Sequence, residues 1–124
     1  MSASDGTTAS SGATAIEVEP DRVAGWLQED PGPQLIDVRE DYEREAGHIA
    51  GSRHIALGAL PSEAASLERE RPVVLYCRVG ARSDMAAQAL RTAGFDAYSM
   101  SGGLMRWARE GRQLVPDGGT VADH

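Results

Sequence analysis

The apolar run Val73-Val74-Leu75-Tyr76 breaks off at Cys77 and passes within a few residues into a helical pattern. A short uninterrupted apolar run suits a strand buried on both faces, and such strands belong to parallel sheets. Parallel neighbours need crossovers, usually helices, so this one step commits the chain to alternating strands and helices. The rest of the sequence follows suit. "TAIEV" (14–18) reads as a first strand, and Pro20 opens a helix with Val23, Trp26 and Leu27 on one face until "DPGP" stops it. "QLIDV" (34–38) reads as a buried strand, "EDYEREAG" as a short helix ending at Gly47, and "SRHIAL" (52–57) as an extended segment. "PSEAASLER" carries a helix with Ala64 and Leu67 on a common face. After Cys77, Ser83 offers an N-cap, Met85, Ala86, Ala89, Leu90 and Ala93 form an apolar stripe, and Gly94 ends the helix. "AYSM" (97–100) is a further strand, and Ser101 to Gly103 lead into a last helix with Leu104, Trp107 and Ala108 inward and Gly111 at its end. The expected fold class is α/β, a parallel sheet with helices on both faces and right-handed crossovers. Ligands of such sheets bind beyond the carboxyl ends of the strands, where Cys77 falls.

The chain has 124 residues, enough for one domain with one core. Residues 1–13 are rich in Ser, Thr, Gly and Ala without periodicity and are expected to be disordered; 14–112 form the domain, and 113–124 a flexible tail. No apolar run approaches the roughly 20 residues of a membrane helix. The N-terminus lacks the basic start and apolar stretch of a secretory signal, so a cytoplasmic protein is expected. Net charge is −7 and all twelve basic residues are arginines. Without a basic run, this argues against nucleic acid and anionic membranes as partners. A single cysteine excludes an internal disulfide and a multi-cysteine metal site. Any thiol chemistry must therefore take its other half from a second molecule. No interface signature stands out, and a monomer is expected.

A thiol becomes a useful nucleophile as a thiolate. Free cysteine titrates near 8.5, and a helix N-terminus or nearby cations bring such thiols to roughly 3.5–7.5. The residues after Cys77 supply these elements: Arg78 and Arg82 as cations, Gly80 to turn the backbone, and a helix behind a tight loop over 77–82. Val79 and Ala81 are modest in size, so the loop N–H groups can converge on an anion. Asp84 favours the helix start but adds negative charge near the sulfur. The competing reading is a buried structural thiol, common for free cysteines. The basic, glycine-containing setting favours the reactive one.

These residues resemble a family. "CRVGARS" resembles the active-site loop of single-domain rhodaneses, the thiosulfate sulfurtransferases. "LIDVREDYEREAGHIAGSRHI" (35–55) resembles that family's upstream signature, and "GFDAYSMSGGLMRWAREG" (94–111) its closing strand, Gly-Gly turn and Trp helix. The resemblance covers roughly residues 14–112. It implies a five-stranded parallel sheet and a mechanism without metal or organic cofactor. Cys77 would take the outer sulfur of a small anionic donor such as thiosulfate, and a persulfide would form. A thiophilic acceptor would then remove it: cyanide, glutathione, thioredoxin or a sulfur-carrier protein. The residues implied to bind the donor are Arg78, Val79, Gly80, Ala81, Arg82 and Ser83, with Asp37 and Arg39 in support. The chain departs from the family pattern at Ser52, His54 and Ala56, in the wall of the cleft.

Cys77 and Arg82 are separated by four residues. Related phosphatases have a longer loop, with five between, so sulfur transfer ranks above phosphatase or arsenate reductase activity. A relay module exchanging persulfide with a partner protein is the main alternative, and a non-catalytic interaction domain the least favoured. Arg82 is expected to be mainly structural and Arg78 to sit at the mouth. For Asp37 and Arg39, internal ion pairing with Glu40, Glu43 or the loop arginines competes with Asp37 orienting the loop and Arg39 steering anions, and for Arg39 the ion pair is expected. His48 is expected to be structural, since an existing thiolate needs no base. Trp26 and Trp107 are expected in the core.

Overall fold

The computed structural model describes residues 15–123. The N-terminal stretch read as disordered, and Thr14 of the first expected strand, lie outside the described residues. Five strands, β1 (Glu17–Val18), β2 (Gln34–Asp37), β3 (Arg53–His54), β4 (Val73–Tyr76) and β5 (Ala97–Met100), form one parallel sheet in the order β1-β5-β4-β2-β3. The helices are α1 (Pro20–Trp26), α2 (Asp41–Ala46), α3 (Leu60–Glu63), α4 (Ala81–Thr92) and α5 (Gly103–Arg109). The expected α/β class and parallel sheet are therefore observed.

β4 is the centre, and Val73, Val74, Leu75 and Tyr76 are all fully buried. Its alternation splits the core. Val73, Leu75 and Cys77 join Ile36, Leu60, Ala86, Ala87 and Leu90 on the α3/α4 face, while Val74 and Tyr76 join Val23, Leu104 and Trp107 on the α1/α5 face. Each fully buried Val or Leu contributes about 1.5–3 kcal/mol, so the strand that carries Cys77 rests on the best-packed part of the molecule. The chain leaves β2 towards β3 on one side and leaves β4 towards β5 on the other. The carboxyl ends of β2 and β4 thus flank the point where strand order reverses, the place where α/β sheets open a crevice.

Three details differ from the sequence expectation. Ser83 is not the N-cap of α4: Gly80 is, with φ of 123°, so the helix begins three residues earlier, at Ala81. Glycine's freedom at positive φ makes the turn sooner than a capping serine would, and Ser83 falls inside the first turn. The loop between strand and helix is accordingly 77–80 rather than 77–82. The apolar stripe of α4 is also rotated. Ser83, Ala86, Ala87 and Leu90 are buried, whereas Met85 is 61% exposed and Ala89 and Ala93 face outward. Alanines occupy both faces of this helix, so periodicity alone could not fix its rotation. Finally, residues 113–123 make contacts where a flexible tail was expected. His48 and Val115 exchange backbone hydrogen bonds of 2.9 and 2.8 Å, and the Thr120 N–H reaches the Ala46 carbonyl at 2.7 Å. Gly47 permits this approach, because a Cβ there would lie 2.5 Å from the Thr120 carbonyl oxygen.

Trp107 is buried as expected, with its indole N–H on the Gln113 carbonyl. Trp26 is half-buried, edge-on to Tyr98 at 5.6 Å between ring centres.

Candidate active site

Cys77 leaves β4 at the reversal point and is 1% exposed. Burial alone would fit an inert core thiol, but its surroundings do not. The Gly80 N–H donates to Sγ at 3.1 Å, and the Ser83 N–H at 3.4 Å. The Ser83 hydroxyl lies 3.6 Å away. The Ser83 N–H is one of the groups a helix leaves without intrahelical acceptors, so the sulfur sits where the first turn of α4 presents partial positive charge. Backbone donors converging this way favour an anion over a neutral thiol.

The cradle is held open from below by the next strand–helix step. Leu104 N–H donates to the Cys77 carbonyl at 2.8 Å, and Met105 N–H to the Arg78 carbonyl at 3.0 Å. With the loop carbonyls bound to α5, their oxygens are kept off the sulfur. Gly103 makes this docking possible: its φ is 60°, and a Cβ there would lie 2.5 Å from the Arg78 oxygen and 2.6 Å from that of Cys77. "SGG" therefore serves the Cys77 loop directly.

A second set of groups fixes the loop from the side. Arg82 directs both terminal nitrogens at the Glu43 carboxylate, at 2.7 and 2.9 Å. This pairing raises the Arg82 pKa, against the opposing effect of burial. Burial works to raise the fully buried Glu43, but the hydrogen bonds from Arg82 and from the Glu40 N–H outweigh it and hold the carboxyl below its ordinary range. Glu43 also closes a capping box with Glu40 at the start of α2. Arg39, fully buried, grips Asp37 with Nε at 2.9 Å and Nη2 at 2.8 Å, and donates to the carbonyls of Glu43 and Gly47. Asp37 further accepts from the Tyr76 hydroxyl at 3.0 Å and from Arg44 at 3.3 Å. Burial, with the Asp37 charge adding to it, pushes the Tyr76 phenol up to about 12. The result is a chain of contacts from Asp37 through Arg39 and Glu43 to Arg82, ending at the first turn of α4, directly after the loop.

The residues singled out in the sequence thus divide. Cys77, Gly80 and Ser83 meet at the sulfur. Arg82 lies in the first turn of α4 and spends its side chain on Glu43. Asp37 and Arg39 pair with each other and reach the first turn of α4 through Glu43. Arg78 lies at the mouth, one-fifth exposed, with Nη2 3.1 Å from Asp123; its buried Nε has no hydrogen-bond partner among the described residues. Val79 and Ala81 are exposed beside it. His48 holds the Arg44 carbonyl at 3.1 Å, and His54 holds that of Arg39 at 2.7 Å. Ser52 accepts from Arg44 and shares a 3.1 Å hydrogen bond with Tyr76. So two of the residues that depart from the family pattern buttress the Asp37 cluster. Sequence reasoning missed the Tyr76 hydroxyl and the bond between Glu43 and Arg82, and it found the Gly-Gly turn without its contact to the Cys77 loop; Glu40-x-x-Glu43 carried a signal, that of the capping box.

Fold and cradle together define an α/β domain centred on one thiol at the strand-order reversal. The Rhodanese-like domain family matches residues 19–110, and the chain belongs to that family. It is 45% identical over 75 residues, 60% of the chain, to the protein YqhL of Bacillus subtilis, and spans 60% of that protein. It is 36% identical over 118 residues, 93% of the chain, to a protein of Mycobacterium tuberculosis named as the probable adenylyltransferase/sulfurtransferase MoeZ, but spans only 29% of it. Both shares are below two thirds of the relative's length. A crystal structure of a rhodanese-related protein from Thermoplasma volcanium superposes with a TM-score of 0.74 at 27% identity, covering 80% of this chain and 96% of that one. No helix among the described residues is long and apolar enough to cross a membrane.

Proposed function

We propose that the protein is a sulfurtransferase working through a persulfide on Cys77. The Cys77 thiolate attacks the outer sulfur of thiosulfate, a sulfur–sulfur bond forms, the original sulfur–sulfur bond breaks, and sulfite leaves with its electron pair. A thiophilic acceptor, such as cyanide or the thiolate of glutathione or thioredoxin, then attacks the outer sulfur and the Cys77 thiolate returns. The net change is transfer of one neutral sulfur atom, in two steps joined by a covalent intermediate. The observation that carries this reading is the pair of backbone N–H groups, Gly80 and Ser83, aimed at Sγ. They serve a thiolate before transfer and stay close to the negative sulfur after it. Arg78 at the mouth suits an anionic donor, and the name of the mycobacterial relative agrees with sulfur transfer.

Steady-state release of sulfite from thiosulfate with each acceptor tests the reading. Turnover should be abolished in Cys77→Ser; turnover that persists in that variant would refute it. A second reading is favoured by the mycobacterial match, in which this chain corresponds to less than a third of a larger sulfurtransferase. There the domain works as one station of a relay, taking persulfide sulfur from a protein. Faster loading from a persulfidated protein donor than from thiosulfate would select it. Slower loading would select the small donor.

A further inference from the structure

Ser99 lies in the middle of β5, fully buried, on the face covered by α4. Its hydroxyl is 2.7 Å from that of Ser83, which is itself fully buried and 3.6 Å from Cys77 Sγ. Proton inventory gives this pair a direction. Each serine has one proton to donate and can accept two. Ser83 has three neighbours: the Gly80 carbonyl at 3.1 Å, Ser99, and the sulfur. The Gly80 carbonyl already accepts the Asp84 N–H at 2.8 Å, so it loses little if Ser83 turns away. When the sulfur is anionic, the consistent arrangement has Ser99 donating to Ser83 and Ser83 donating to the sulfur. Donation from Ser99 occupies a lone pair of Ser83, fixes its rotor and polarises its O–H bond towards the charge.

We infer that Ser99 is a positioning residue for the sulfur chemistry of Cys77, acting through the Ser83 hydroxyl. The inference rests on the proposed role of Cys77 as the sulfur-bearing nucleophile. It extends that site from one loop to a second strand of the sheet.

The test uses alkylation of the bare thiol by iodoacetamide, its rate followed against pH in wild type, Ser99→Ala, Ser83→Ala and the double variant. The thiolate alone reacts, so the midpoint of the profile reports how well the anion is held. Ser83→Ala should lower the thiolate fraction at pH 6 about tenfold, and Ser99→Ala about threefold. The double variant should match Ser83→Ala alone, because Ser99 then has nothing to act through. An unmoved midpoint in Ser99→Ala would overturn the inference, and so would a Ser99→Ala shift equally large without Ser83. No sulfur donor enters the assay. Failure of wild type to accept sulfur would therefore sink the proposed function while leaving the midpoints to judge Ser99.

Discussion

The two halves of the site hold charge in opposite ways. At Cys77 the hydrogen bonds to the sulfur come from main-chain N–H groups and a hydroxyl, and no cationic side chain among the described residues donates to it. A few residues away, the carboxyl end of β2 is packed with full charges: Asp37, Arg39 and Glu43 are buried, and Arg44 and Arg82 close over them. Under the proposed function the difference suits their tasks. A reacting sulfur must gain and lose a partner, and backbone dipoles stabilise its charge without forming an ion pair that has to be broken. A scaffold must not move, and buried charges that have only one set of partners enforce a single arrangement.

That contrast orders the expected effects of mutation. Arg39→Ala should be the most damaging, since it leaves Asp37 buried with its main partner removed; a loss of about 3–5 kcal/mol is expected by urea unfolding. Arg39→Lys should rescue little, because the fork of contacts to Asp37, Glu43 and Gly47 needs a guanidinium. Next is Gly103→Ala, which puts a Cβ against the carbonyls of Cys77 and Arg78. It should lower stability by about 1–3 kcal/mol and sulfur uptake far more than that loss of folded protein explains. Equal losses in uptake and in folded fraction would separate α5 from the cradle and break the account of that docking.

Glu43→Gln comes third, at about 1–3 kcal/mol. It also carries a pH signature. The Glu43 carboxyl is held below its unfolded range. Its contribution is therefore complete above the unfolded carboxylate pKa and is lost as pH falls through the lower folded value. Wild type should lose stability in acid more steeply than Glu43→Gln, as read from urea midpoints between neutral and acid pH. Parallel curves would show that Glu43 is not held as an anion. The smallest effect belongs to Asp123→Asn at the mouth. An ion pair this exposed is worth less than about 1 kcal/mol, so unfolding should barely change. Freed from Asp123, Arg78 should bind thiosulfate slightly better, seen as a modest fall in KM.

The two halves were also unequally legible in the sequence. The cradle is contiguous: strand, cysteine, glycine and helix lie within ten residues, and each leaves a local signal. The α/β alternation could be read for the same reason, from strands that are short apolar runs. The charged cluster is assembled from residues between 37 and 82, whose partners are chosen by how β2, α2 and α4 are juxtaposed. Sequence allowed Arg39 to pair internally, but not Arg82 to choose Glu43. Ser99, and what the Gly-Gly turn packs against, were hidden for a related reason: β5 and its turn reach the surroundings of Cys77 because the sheet places β5 beside β4. Ser83 was assigned to the right helix end but the wrong position, because Gly80 could turn the chain earlier.

The central claim is that the cradle holds a sulfur atom transiently bonded to Cys77. Intact-mass measurement after incubation with thiosulfate and rapid desalting addresses it most directly. The account predicts a gain of one sulfur atom in wild type, removed by cyanide or reduced glutathione and absent in Cys77→Ser. An unchanged wild-type mass, or a gain that survives in Cys77→Ser, would contradict it.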